Sequence, residues 1–235
     1  MCLSADPREL PVRVKETALK GVPKLVIFDC DGVLVQSEEI TLSVLIAMLN
    51  TQGNTVLDAT RFIEHFRGRK IADCLREAEQ LLNVRLGNDF EQHFRKRALA
   101  ALTLDLKATD GIVEVLQALT VPYCVASSAP REKIEHCLRQ VGLLSYFEGQ
   151  IFSCYELGSW KPDPLVFLTA CDHHNVDVSE ALVIEDSVTG IQAAIAANIR
   201  VLGLGPQHRH PQLAAAGARP IIDIREMLAI FNLSQ

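Results

Sequence analysis

The sequence contains no C-x-x-C pair, no internal repeat, no low-complexity tract and no surplus of positive charge. Its seven cysteines, at positions 2, 30, 74, 124, 137, 154 and 171, have neither zinc-ribbon nor dithiol redox spacing. Their number is odd and several sit in apolar runs, so they read as reduced, mostly buried thiols in a reducing compartment. A formal net charge of -6 gives no reason to expect a nucleic-acid partner. The opening stretch MCLSADPRELPVRVKETALKG carries charges throughout and lacks the apolar core of a secretory signal. No apolar run approaches the roughly 20 residues needed to cross a bilayer. The expectation is a cytoplasmic protein, monomeric, without a membrane partner.

What is present is an ordinary globular composition: 235 residues, 49% hydrophobic and 22% charged, with 13 Gly and 10 Pro. That length supports one large domain or a domain with a sizeable insertion. Short apolar runs recur at Leu25 to Phe28, Tyr123 to Ala126, Ile151 to Cys154, Ala181 to Ile184, Val201 to Leu204 and Pro220 to Ile222. They read as strands buried on both faces. Helical patterns lie between them: Ile112, Val115, Leu116 and Leu119; then Ile134, Cys137, Leu138 and Val141; then Ile191, Ala194 and Ile195. Strand alternating with helix predicts an α/β fold, a Rossmann-like parallel sheet with helices on both faces. Residues 37–105 break the alternation, with helical stretches near 39–50, 59–66, 70–82 and 89–103 and no strong strand signal. A gap of that length is too long for a loop. It predicts an all-helical cap, 37–105, inserted into a core made of 23–36 and 106–235, with residues 1–22 as an N-terminal extension.

In open α/β sheets ligands bind beyond the carboxyl ends of the strands. Asp29 and Asp31 follow the first strand in LVIFDCDGVLVQSE, and Ser127 and Ser128 follow the second. Lys161 lies after the third, in GSWKPDP, and Glu185, Asp186 and Ser187 follow the fourth, in VIEDSVTGIQAA. Each has a bland reading. The aspartates could be turn residues, the serines could cap the helix near Pro130, Lys161 could be a solvated loop lysine, and Asp186 or Ser187 could be an N-cap. Together they are harder to explain that way. Converging carboxylates repel one another unless a cation joins them, and an all-oxygen donor set suits a hard ion such as Mg²⁺. The same groups suit phosphoryl transfer: Mg²⁺ and Lys161 supply positive charge, the Ser127 hydroxyl and nearby N–H groups hold phosphate oxygens, one aspartate attacks, and the other moves the proton.

In that order, DCDGVLVQSE, VASSAP, WKPDP and VIEDSVTGIQAA resemble the motifs of the haloacid dehalogenase-like hydrolases, in the branch with a helical cap after the first motif; the resemblance runs from residue 24 to about 225. It implies Asp29 as nucleophile, Asp31 as general acid/base, and Ser127 and Ser128 at the transferring phosphoryl group. Lys161 would bridge that group and the nucleophile. Mg²⁺ would be held by Glu185 and Asp186, Asp186 being the first choice, with the Asp29 carboxylate and the Asp31 carbonyl. Cys30 would point into the core. A carboxylate at Asp31 argues against the dehalogenase and phosphonate-cleaving members. Gln36 stands where many members have an aspartate, near the hinge rather than the chemistry.

The resemblance leaves a phosphatase and a β-phosphoglucomutase-like mutase as alternatives. Thr41 falls where the mutase hinge histidine would be and Ile71 where its cap arginine would be, although Arg67, Arg69 and Lys70 are close; both departures favour the phosphatase. A catalytically silent binding protein is the reading from a different class. The substrate expected is a small phosphorylated metabolite, a sugar or sugar-acid phosphate, with 6-phosphogluconate among the candidates. Arg67, Arg69 and Lys70, around Gly68, are the cap candidates for specificity, against the alternative of a solvated basic face. His208, Arg209 and His210 read as a surface loop, with an approach to the site as the alternative; His173 and His174 read as a helix end, and His65 and His93 as cap residues, with substrate contact the alternative to no role.

Overall fold

The computed structural model describes residues 21–52, 57–67 and 69–231, so the expected extension lies outside the described residues except for its last two. Six parallel strands form one sheet in the order β3-β2-β1-β4-β5-β6. They are β1 (Leu25–Phe28), β2 (Tyr123–Ser127), β3 (Ile151–Ser153), β4 (Ala181–Glu185), β5 (Arg200–Leu204) and β6 (Arg219–Ile221). Side chains alternate between the faces with period two. Val26, Phe28, Val125, Leu182 and Ile184 enter one apolar cluster, and Leu25, Ile27, Cys124, Ala126 and Val183 enter the other. Both faces are covered, which is why the strands read as unbroken apolar runs. Cys154 does not extend β3. The Ser153 hydroxyl accepts from Tyr155 N at 3.2 Å and starts a helical turn there.

Between β1 and β2 the chain forms α1 (Glu38–Leu49), α2 (Ala59–Phe66), α3 (Ile71–Leu82) and α4 (Phe90–Asp105). Their apolar stripes make a third cluster, with Leu45, Leu49, Phe62, Phe66, Cys74, Ala78 and Phe94 at its centre. The Asp58 side chain caps α2 by accepting from Arg61 N, and Asn83 ends α3 in the left-handed region with φ 51°. Two chain segments join this helical cap to the sheet. Gln36 N donates to Lys107 O at 2.9 Å and Thr109 N to Leu34 O at 3.0 Å, with an antiparallel bridge between Val35 and Ala108.

Returning from the cap, the chain forms α5 (Ile112–Ala118) before β2; after β2 come α6 (Arg131–Gln140), α7 (Cys154–Leu157), α8 (Leu165–His173), α9 (Val188–Ala196) and α10 (His210–Ala215). Ile195 departs from expectation: it lies against Gly217 at the surface and is 45% exposed, while Ile191 and Ala194 are buried. The six described cysteines are free and buried. Among the described residues, no helix is long and apolar enough to cross a membrane.

Candidate active site

The strand order reverses around β1, whose neighbours are β2 and β4, so the carboxyl ends of these three strands meet at one crevice. Asp29 continues β1 by one residue, its N–H donating to Ile184 O at 2.9 Å. Lys161 reaches it from the loop after α7. The Lys161 Nζ donates to Asp29 Oδ1 at 2.6 Å, Glu185 Oε1 at 2.8 Å and Ala126 O at 2.9 Å, with the lysine side chain 2% exposed. Lys161 is thus a buried counter-charge, not a solvated loop lysine. Burial alone would discharge it; Asp29 and Glu185 overcome this and raise its pKa.

Glu185 is fully engaged. Beyond the Lys161 contact, its Oε2 accepts from Asp186 N, Ser187 N and Ser187 Oγ, each at 2.9 Å. Ser187 also caps α9, accepting from Gly190 N at 3.0 Å. A Cβ at Gly190 would overlap the Glu185 carboxylate, so glycine is required there to let helix and acid approach. Asp186 is 3% exposed and faces Arg67 Nη1 at 3.3 Å and Arg209 Nη1 at 3.8 Å. Burial pushes the Asp186 carboxyl well above the usual range, Glu38 and Glu185 adding to the rise and the two arginines opposing it. Burial does the same to Asp29, against the pull of Lys161.

Asp31 is placed differently. Lys133, on the first turn of α6, donates to both its oxygens, at 2.8 and 2.9 Å, and the buried Ser37 hydroxyl also donates to Oδ1. Burial opposes the charge, but Lys133 and Ser37 outweigh it and hold Asp31 below the usual carboxylate range. Gly32 follows with φ +82°, and a Cβ there would overlap the Asp186 carboxylate. Cys30, between the two acids, is 1% exposed and packs into the core with Val26 and Phe28.

Asp29, Glu185 and Asp186 each offer a carboxylate oxygen, and these atoms lie within 4.8 Å of one another. Three buried acids in that space, two of them with carboxyls forced upward by burial, fit a divalent cation of the Mg²⁺ type. Asp29 and Glu185 line, with Asp31, Ser127, Ser128 and Lys161, a cavity of about 270 Å³ between sheet and cap; Asp186 lies behind them. Ser127 is buried, and its hydroxyl accepts from Ala129 N at 3.2 Å. Neither serine caps α6, whose N-cap is Pro130 with no side-chain bond. The capping alternative is therefore removed for the serines.

The three basic cap residues separate. Arg69 and Lys70 line the cavity. Arg69 Nη2 donates to Glu77 at 2.7 Å, and the Lys70 ammonium lies 3.5 Å from the Trp160 ring centroid. Arg67 does not line it. Its guanidinium turns to Glu38 and Asp186, beside a second, polar cavity that includes Gln36, Glu39, Asp105 and Lys107. His65 and His93 also lie off the cavity, paired with Glu77 and Asp89. One expectation is corrected: the His208-Arg209-His210 segment is not simply a surface loop. Arg209 is 6% exposed and its Nη2 donates to Asp186 O at 2.9 Å, because the turn after β5 folds back over the end of β4. Lys133 and Ser37 were not singled out from sequence. The one signal for Lys133 is a lysine in the first turn of a helix that starts at a strand end. Arg95, which lines the cavity and donates to Tyr155 Oη at 2.5 Å, carried none.

A haloacid dehalogenase-like hydrolase family profile matches residues 23–198. A 6-phosphogluconate phosphatase of Escherichia coli K12 is 34% identical over 177 residues, covering 75% of this chain and 80% of that protein. A validoxylamine A 7'-phosphate phosphatase of Streptomyces hygroscopicus subsp. limoneus is 30% identical, covering 82% and 91%. The crystal structure of a haloacid dehalogenase-like protein of unknown function from Agrobacterium tumefaciens superposes with a TM-score of 0.79 at 33% identity, covering 89% of this chain and 97% of that one. The motifs, the sheet order and these likenesses agree: the chain belongs to the haloacid dehalogenase-like hydrolases and is an enzyme of the phosphoric monoester hydrolase class.

Proposed function

We propose that this protein is a Mg²⁺-dependent phosphatase that hydrolyses a small sugar or sugar-acid phosphate through an aspartyl-phosphate on Asp29. The observation that carries the reading is the buried Lys161 bridge between Asp29 and Glu185, with Asp31 held separately by Lys133, at the mouth of one cavity. Two acids in distinct electrostatic settings suit two roles. Asp29, Asp186 and the Asp31 carbonyl would hold the cation. Glu185 already has partners on both oxygens and serves better to fix Lys161 and Ser187. When bound, the cation supplies positive charge to the phosphate oxygens and to the Asp29 carboxylate.

The remaining chemistry belongs to the chain. Ser127, Ser128 and Lys161 orient the phosphoryl oxygens. An Asp29 oxygen attacks phosphorus, the bond to the substrate oxygen breaks, and Asp31 delivers a proton to that oxygen. Asp31 then takes a proton from water as the water oxygen attacks the same phosphorus, which frees Asp29 and releases inorganic phosphate. Lys133 and Ser37 hold Asp31 as the carboxylate that the second step needs. The negative charge of an arriving phosphate favours the protonated form needed in the first.

We further propose that residues 37–105 act as a cap over a core of 23–36 and 106–235. In that cap Arg69 and Lys70 contact the part of the substrate remote from phosphorus. An arginine suits a sugar-acid carboxylate, and a 6-phosphogluconate phosphatase is among the relatives. Thr41 and Ile71 both line the cavity, and neither supplies the basic group the mutase reading needs. The buried thiols support a reducing, cytoplasmic setting. The test is phosphate release from phosphorylated sugars, sugar acids and short acids, with EDTA and Asp29→Asn as controls. Release abolished by both controls is expected. Undiminished release from Asp29→Asn, or none from any compound with folded protein and Mg²⁺, overturns the reading.

A further inference from the structure

We infer that Arg67 is a cap-borne positioning residue for Asp186, and that its guanidinium and the divalent cation compete for that carboxylate, so that metal loading and cap position are coupled. The inference rests on the reading of Asp186 as a metal ligand.

Arg67 follows Phe66, whose buried ring anchors the end of α2 in the cap. At Arg67 the backbone leaves the helix, with φ -54° and ψ 130°, and the side chain crosses to the sheet edge. There it is 13% exposed, and one nitrogen, Nη1, serves both Glu38 and Asp186. Its Nε is buried without a hydrogen-bond partner. Among the described residues both hydrogen bonds of the guanidinium to carboxylates leave from that one nitrogen, not from a two-pronged fork, so its hold on Asp186 is open to competition. Burial opposes the Arg67 charge, and Glu38, Asp186 and Glu64 more than restore it.

Asp186 needs a cation beside it, because Glu38 and Glu185 both repel it. Arg209, from the core, stands at 3.8 Å and also faces Glu64 of α2 at 3.6 Å. Arg67, from the cap, stands closer, at 3.3 Å. A dication on Asp186 would meet the Arg67 charge a few ångströms away, and like charges at that range disfavour one another even when screened. Coupling is reciprocal: if Arg67 weakens metal binding, metal weakens the Arg67 link and loosens the cap until a phosphate restores the balance of charge.

The test uses Mn²⁺ as the probe, its free concentration read by electron paramagnetic resonance on the full chain. Arg67→Gln is expected to bind Mn²⁺ roughly tenfold more tightly, the order of effect of removing one nearby unit charge. Arg67→Lys is expected to stay close to wild type, and Asp186→Asn to lose binding. Unchanged or weaker binding in Arg67→Gln, with binding lost in Asp186→Asn, overturns this inference and leaves the phosphatase reading standing. Wild-type binding in Asp186→Asn overturns the metal assignment beneath both. A second measurement needs no variant: Mn²⁺ should speed amide exchange at Gln36 and Thr109, whose N–H groups tie the linkers together. Slower or unchanged exchange there counts against the coupling.

Discussion

Replacing Lys161 by Met removes one positive charge and keeps most of the side-chain volume. In the native protein that ammonium faces Asp29 and Glu185 at 2.6 and 2.8 Å with 2% of the side chain exposed. Removing one partner of a buried ion pair costs about 3–5 kcal/mol, since it leaves buried charge uncompensated. With a urea dependence of about 3 kcal/mol/M for a chain of this size, the unfolding midpoint in EDTA should fall by roughly 1–2 M. Mg²⁺ brings positive charge back to the same acids, so the fall should be smaller in Mg²⁺ than in EDTA. The double variant Lys161→Met/Asp29→Asn should recover part of the loss, with a coupling on the order of 2 kcal/mol. The pH dependence has a definite sign. Burial raises Asp29 in the folded state, and without Lys161 it rises further. A carboxyl raised on folding stabilises fully below the ordinary carboxylate range, and that contribution is lost as pH rises through the raised value. The deficit of Lys161→Met should therefore widen as pH rises. A variant within about 1 kcal/mol of wild type in EDTA at neutral pH, with no coupling to Asp29, would refute Lys161 as the buried counter-charge.

Lys133→Met should lower kcat by about a hundredfold with little change in KM, through misplacement of Asp31, and Lys133→Arg should recover part of it; equal loss in KM and none in kcat would count against positioning. Gly32→Ala should lose Mn²⁺ binding, because it combines strain at positive φ with overlap on Asp186; binding by calorimetry at wild-type strength would show that the approach is not needed. Arg69→Ala and Lys70→Ala should raise KM for the best sugar-acid phosphate more than for a neutral sugar phosphate; steady-state rates that change equally for both would remove the carboxylate contact.

Much of this protein was legible in its sequence, because parallel strands buried on both faces are written as short apolar runs and their ends as sudden polar groups. Asp29, Asp31, Ser127, Lys161 and Asp186 could be named in that way, and the helical pattern of 37–105 stood out against the strands around it. Lys133, Ser37, Arg209 and the turning of Arg67 toward Asp186 could not. A lysine in a helix's first turn reads alike whether it faces water or an acid a hundred residues earlier in the chain. Arg67, Arg69 and Lys70 are almost adjacent in sequence, yet the end of α2 sends Arg67 to the core while Arg69 and Lys70 line the cavity. Local patterning reports which groups leave the sheet and where. Which charge neutralises which depends on the sheet order and on the cap docking over its edge, and those long-range contacts have no period in the sequence.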